Sequence, residues 1–358
     1  MTHTEQSTQA ASPVDVNHFP SDTWHFLAIG GTQLQLPPAF TRTQSGDEVP
    51  GALSDKVCAI QTGMGDAFDA AFDELMAKSG GKAVFMESAA GLCVKTVGKI
   101  EIAASAGEAV AADIVVHARK NSDSSFVFAF KTGGGDATIG TRIRLLAEEN
   151  AKVHVAVVNL AGEGAKLFAS LGALAKDDST VEVSEVELGG QAVHSGTRVD
   201  LVGQKSRFIG RAFCLVQSGC KIDINQVAVH RGAMSESHFA VEQVLFEGAS
   251  KSWRGTIDFR RGCAGAAGDE QEDVLLFGER VINKSLPVIL CDEEAVEGRH
   301  GCSIGKVDAA SLFYMGSRGV DETTAKKLIV KGKAAKTARF IGDETLEREI
   351  KERIDSSL

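Results

Sequence analysis

His300 lies between two cysteines, Cys291 and Cys302, within LPVILCDEEAVEGRHGCSIGKVDAASLFYMGSRGVDETTAKKLI (residues 286–329). Thiolates and imidazole nitrogens are the usual protein ligands of zinc and of iron–sulfur clusters. Side chains alternate along an extended segment, so positions 298, 300 and 302 share a face and His300 and Cys302 can point together at one metal or sulfur atom. A plainer reading stays open beside this one. Cysteine is commonly a small buried hydrophobe, and a histidine here can simply satisfy a turn carbonyl. Cys214, Cys220 and Cys263 sit in strand or glycine-rich contexts that suit packing. His194, His230 and His238 lie in β-rich segments that suit structural roles.

Other chemistries lack their signatures. No GxxxxGK[ST] occurs, so this chain is expected to bind no nucleotide and to hydrolyse no ATP by itself. Thr132–Asp136 (TGGGD) lacks the GxGxxG spacing and a following helix, and reads as a hairpin turn. HExxH and CxxC are absent as well. With a net charge of −10 and a pI near 5.5, no nucleic-acid surface is expected. No apolar run reaches membrane-spanning length. The seven cysteines are odd in number and irregularly spaced, which suits reduced thiols rather than a disulfide framework.

The elements around these residues are mainly β. Glycine is abundant (38) and proline scarce (6), and short valine-rich runs recur between tight turns. Four regions emerge: a disordered tail with no secretory signal (1–20), a mixed and partly helical segment (21–81), a β-rich core (82–304) and a helical end (305–358). In the second region Trp24, Phe26 and Leu27 follow a turn. Phe68, Phe72, Leu75 and Met76 give Gly65–Ser79 an amphipathic helical face that Gly80-Gly81 stops. In the core few linking segments carry a helical pattern, Ala161–Ala175 being an exception. A βαβ fold needs a helix between most strands; short strands in stacked coils fit a β-helix or solenoid, although no strict repeat period shows. In the last region Leu312-Phe313-Tyr314 reads as an apolar turn. Asp321 caps a helix reaching about Lys331, with Ala325, Leu328 and Ile329 on one face and Gly332 following. Asp343 caps a final helix with Leu346, Ile350 and Ile354 in line.

Several of these features fall in register with a known family. The run Arg299-His300-Gly301-Cys302-Ser303-Ile304-Gly305, then Leu312-Phe313-Tyr314, then Ser317-Arg318-Gly319-Val320 and the helix near Asp321, resembles the SufB/SufD scaffold family of iron–sulfur cluster assembly. Val229-His230, Phe246-Glu247-Gly248, Trp253–Ile257 and Gln271–Leu276 resemble its β-helix coils. The Trp24 segment and Gly63–Leu75 resemble its opening region. The resemblance covers most of residues 20–358.

This resemblance implies a right-handed parallel β-helix with helical segments at both ends. It implies a cytoplasmic, non-catalytic scaffold that pairs with a SufB-like subunit and docks a SufC-like ABC-type ATPase through its C-terminal helices. The surface expected to dock that ATPase comprises Phe313, Tyr314, Arg318, Leu328 and Ile329. An iron–sulfur cluster would form transiently at the interface of the two β-helix subunits. The chain is short for the family, which implies reduced N-terminal helical content. Two departures stand out. Where SufB-type chains carry an interface cysteine after a Gly-acidic pair, Gly278-Glu279-Arg280 leads here to Val281, which makes the chain SufD-like. Where SufD-type chains can carry a cysteine two residues before the histidine, Gly298 stands here, so Cys302 is the candidate for the thiol role beside His300. Otherwise ligation is lost and only architecture remains. A self-paired scaffold homodimer stays open. So does a stand-alone β-helix binding protein or enzyme, although Asp113, Asp200, Asp223 and Asp258 are too scattered to suggest a carboxylate groove.

Overall fold

The computed structural model describes residues 13–20, 29–44, 46–91 and 96–358. Trp24, Phe26, Leu27 and the first twelve residues of the expected tail lie outside the described residues. The chain opens with β1 (Val14–Val16), β2 (Thr32–Leu34), β3 (Arg42–Thr43), α1 (Gly51–Cys58), α2 (Asp66–Lys78) and β4 (Val84–Glu87). A long run of strands follows: β5 (Thr96–Ala104), β6 (Ala109–Ala118), β7 (Asp123–Thr132), β8 (Thr138–Ala147), β9 (Lys152–Leu160), β10 (Lys166–Ala175), β11 (Thr180–Glu187), β12 (Ala192–Leu201), β13 (Arg207–Val216), β14 (Lys221–His230), β15 (Glu236–Leu245), β16 (Ser250–Phe259), β17 (Ala267–Leu276), β18 (Ile282–Cys291) and β19 (Glu297–Lys306). Then come α3 (Ala309–Ser317), α4 (Glu322–Ala338) and α5 (Glu344–Ser356).

From β5 onward each strand pairs in parallel with the strand two places along the chain. The even strands β6 to β18 build one sheet and the odd strands β5 to β19 the other. The result is a parallel β-solenoid of about seven turns with helices at both ends. Alternation along each strand fills it. In β7, Phe126, Phe128 and Phe130 point between the sheets, while Val127 and Ala129 point outward beneath the C-terminal helices. Helices cover both outer faces, so many strands are apolar on both sides and read as continuous runs.

The coils turn at stacked corners. Asn121, Asn150, Asp178, Lys205 and Met234 all adopt φ between 53° and 59° at successive even-to-odd corners. Each donates its backbone N–H to a carbonyl of the next corner, Asn121 to Glu149 and Met234 to Ala264 among them. At the opposite corners Gly107, Gly164, Gly190, Gly219 and Gly248 supply the positive φ. Coil length varies: Lys166 stands beside Ala192, 26 residues on, whereas Ser250 stands beside Ile282, 32 residues on.

The N-terminal helices pack on the even sheet. Phe68, Phe72, Leu75 and Met76 of α2 bury against Ala109, Ala111 and Phe168. Arg142 fastens the same helix by reaching Asp113, Asp73 and the Asp69 carbonyl. On the odd sheet, Val330, Ala334 and Ala338 of α4 and Leu346, Ile350 and Ile354 of α5 cover Val127, Val158, Val186 and Phe213. Asp308, Asp321 and Asp343 cap α3, α4 and α5 by accepting backbone N–H bonds.

Several expectations are corrected. Residues 13–20 are not a disordered tail: β1 pairs with β2, and Val16 and Phe19 are buried. Ala161–Ala175 is not helical, because Leu167, Ala169, Leu171 and Ala173 alternate into the interior as β10. Thr132–Asp136 is a solenoid corner rather than a hairpin, since β7 and β8 belong to different sheets. Leu312–Tyr314 lies inside α3. Helix α4 runs through Gly332 to Ala338, because its buried stripe continues past the glycine, against a propensity cost of about 1 kcal/mol. The β-rich part extends to Lys306, two residues beyond the expected boundary.

Candidate functional site

The chemistry-bearing stretch occupies the last coil. β18 and β19 are the terminal strands of the two sheets. β19 is exposed along its whole length and β18 is mostly half-buried, whereas the interior strands are buried. Ile282 and Ile304 are large apolar side chains left in solvent here. Among the described residues no further strand pairs with β18 or β19, so this end of the solenoid presents two sheet edges.

Register places His300 beside Glu270 and Cys302 beside Glu272. His300 and Cys302 share the inward face, as alternation requires. The His300 ring nitrogen Nδ1 lies 3.9 Å from Glu270 Oε1, and half of its side chain is exposed. The Cys302 thiol donates to Glu272 Oε2 at 3.1 Å. Burial, and then the adjacent Glu272 carboxylate, pushes that thiol up to about 11. At neutral pH Cys302 is thus a protonated thiol, and holding a metal or sulfur atom requires this proton to leave.

Two buried carboxylates support the pair. Glu272 forms an ion pair with Lys251 of β16, and both side chains are fully buried. Lys251 Nζ also donates to Ser285 Oγ at 2.9 Å. Glu270 makes no hydrogen bond of good geometry through either oxygen, and burial raises it to about 8 despite help from the Val288 backbone. It fits because Gly255 stands opposite: a Cβ there would lie 2.6 Å from Glu270 Oε2. Glu270, Glu272 and Lys251 were missed in the sequence. The available signal was the polar run Asp269–Asp273 in β17, whose even positions share the inward parity of Val274.

Other candidates fall elsewhere. Cys291 is exposed at the end of β18, its thiol donating to the Glu293 carbonyl. Cys214 and Cys263 are buried, and burial raises both thiols. His230 is enclosed by Ser235 and Ser237, each 2.8 Å away, and burial pushes it down to about 4. His238 pairs with Asp269 at the surface. Gly301-Cys302-Ser303-Ile304-Gly305 spells the G-x-S-x-G of a nucleophile elbow, yet it is straight strand within β19 and makes no strand–turn–helix. Among the described residues no group of three or more His, Cys, Asp or Glu side chains is placed to hold a metal ion.

The C-terminal candidates divide. Phe313 is 79% exposed and Tyr314 60%, with the Arg318 guanidinium 5.3 Å from the Tyr314 ring. Leu328 is exposed, but Ile329 packs partly against the odd sheet and helps to hold α4 there. The common face expected for Ala325, Leu328 and Ile329 is therefore split. Among the described residues no helix is long and apolar enough to cross a membrane.

Residues 101–333, most of the solenoid and the first part of α4, match the family model described as SUF system FeS cluster assembly, SufBD core domain. The chain belongs to this family. It is SufD-like: similar to the iron–sulfur cluster assembly protein SufD of Bacillus subtilis (24% identical over 189 residues, 53% of this chain and 40% of the relative). SufD of Escherichia coli is 23% identical over 225 residues, 62% of this chain and 53% of the relative. SufB of Bacillus subtilis is 24% identical over 159 residues, 44% and 34% respectively. The matched part spans about half the length of these curated SufD relatives.

Proposed function

We propose that this chain is a non-catalytic scaffold subunit of SUF-type iron–sulfur cluster assembly in the cytoplasm. It pairs through β18 and β19 with a SufB-like subunit and docks a SufC-like ABC-type ATPase on its C-terminal helices. The observation that carries this reading is the open last coil, where the two sheets end in ten-residue strands, β19 exposed along its length and β18 mostly half-buried. Two such edges on a second β-solenoid would continue both sheets across the interface. The cluster is cargo, and His300 and Cys302 would offer it two ligands, with the remaining ligands coming from the partner. The exposed aromatic pair Phe313 and Tyr314 supplies the anchors an ATPase surface could cover.

The test is an anaerobic pull-down of the tagged chain from its native cells, with partners identified by mass spectrometry. Recovery of a P-loop ATPase together with a second SufB/SufD-type chain supports the reading. Recovery of the ATPase with this chain alone makes the scaffold a homodimer. Recovery of neither, under conditions that preserve such complexes, overturns it.

A further inference from the structure

A cavity of about 440 Å³ lies between the β11–β12 and β13–β14 corners and the end of α5. Its wall includes Glu187, Gln217, Cys220, Lys221 and Arg353. Three residues of this wall each carry a buried polar atom that has no hydrogen-bond partner among the described residues: Glu187 Oε1, Gln217 Nε2 and Arg353 Nε. Buried polar groups in folded proteins are almost always satisfied, so three orphans around one cavity call for a ligand.

All three are donors at neutral pH. The guanidinium nitrogens of Arg353 can only donate. One of its other nitrogens, Nη2, is already used, donating to the Ala161 carbonyl at 3.1 Å. The Gln217 amide nitrogen can only donate. Asn159 donates to Glu187 Oε2 at 2.7 Å, so the proton of a neutral Glu187 sits on Oε1. Burial pushes this carboxyl up to about 8, which keeps that proton in place at pH 7. Lys221 adds a cation and Glu163 a carboxylate. An acceptor-only ligand with several oxygens matches this set.

We propose that this cavity binds a small oxyanion of the carboxylate or phosphate class, held by Arg353 and Gln217. The proposal stands apart from the scaffold reading, because it rests on side chains away from the last coil. Because Arg353 belongs to α5, an anion bound here would also tie the C-terminal helix to the solenoid.

Cys220 in the cavity wall serves as the reporter. The full chain is alkylated with iodoacetamide, and each cysteine is followed by peptide mass spectrometry in inorganic phosphate, in succinate, and in chloride at matched ionic strength. Phosphate or succinate is expected to slow modification of Cys220 while leaving the exposed Cys58 and Cys291 unchanged. Whichever anion protects identifies the source of the oxyanion. Gln217→Leu and Arg353→Gln should each weaken the protection constant roughly ten- to a hundred-fold, the loss expected for one charge-assisted hydrogen bond. Arg353→Gln also loses the bond to Ala161, so Gln217→Leu and the isosteric Gln217→Glu decide the matter. No protection by either anion, protection by chloride alone, or full protection in both Gln217 variants overturns the proposal.

Discussion

Lys251 and Glu272 meet from opposite sheets inside the solenoid, and the carboxylate that holds the ammonium also accepts the Cys302 thiol proton at 3.1 Å. This ties the last strand to a charge pair that solvent does not reach. Glu272→Gln leaves the Lys251 ammonium unpaired, which should cost about 3–5 kcal/mol, the range for breaking a buried ion pair. A double Lys251→Met, Glu272→Met change should cost less than either single substitution, because neither partner is stranded. Urea titration of the three variants gives the comparison. The same Glu272→Gln change removes the carboxylate that holds the thiol up, so the alkylation-versus-pH curve of Cys302 should move to lower pH. An unmoved curve would show that burial alone sets the thiol.

Stability should fall as pH rises. Glu187 and Glu270 are each raised from 4.5 to about 8, chiefly by burial. The native state therefore keeps protons that the unfolded chain releases, and the stabilisation is complete below about 4.5 and lost as pH climbs through about 8. The melting temperature should decline across that window. Glu187→Gln and Glu270→Gln each keep the shape without the ionisation, so each should flatten the decline and raise the melting temperature near pH 8. A profile identical to the parent in both variants would mean that neither carboxyl is held protonated.

The β-rich core is legible in the sequence because its short runs are apolar on both faces, as β7 shows with Phe126, Phe128 and Phe130 inward and Val127 and Ala129 outward. Helix α5 was legible because its cap Asp343 and its stripe Leu346, Ile350 and Ile354 agree. The coil period was hidden by variable corners. The left-handed positions 121, 150, 178, 205 and 234 are Asn, Asn, Asp, Lys and Met, so no single residue type marks them. Gly332 looks like a stop for helix α4, and only the sheet beneath Val330, Ala334 and Ala338 explains why it is not. At the candidate site the shared face of His300 and Cys302 follows from spacing alone. The carboxylates behind them do not, because they arrive from β17, about thirty residues earlier, through a register that only the stacked coils define.

That register makes Cys302 a thiol that must be activated before it can hold iron or sulfide. Cys302→Ser keeps the hydrogen bond to Glu272 and removes the soft ligand, so the chain should unfold with the parent midpoint, within about 0.5 kcal/mol for an exposed site. Cluster yield in a complex reconstituted with the proposed SufB-like subunit and SufC-like ATPase should nevertheless drop, read as the anaerobic visible absorbance of the assembled cluster. Unchanged yield would remove Cys302 from the ligand set and leave the last coil an architectural edge.

On the proposed reading the C-terminal tail separates docking from folding in the same way. Phe313 and Tyr314 sit on α3, which has no buried residue of its own, whereas Ile350 of α5 is fully covered. Phe313→Ala should leave the melting temperature almost unchanged, yet weaken capture of the ATPase roughly thirty-fold if the side chain is a central anchor. Ile350→Asp should do the opposite first: it places an unpaired charge between α5 and the odd sheet, loosens the tail, and loses capture only as a consequence. Titrating the ATPase against both variants, with hydrogen exchange on α4 and α5, distinguishes the two routes. If Phe313→Ala binds like the parent while Ile350→Asp does not, the contact surface lies on α4 or α5, and the exposed aromatic pair has another use.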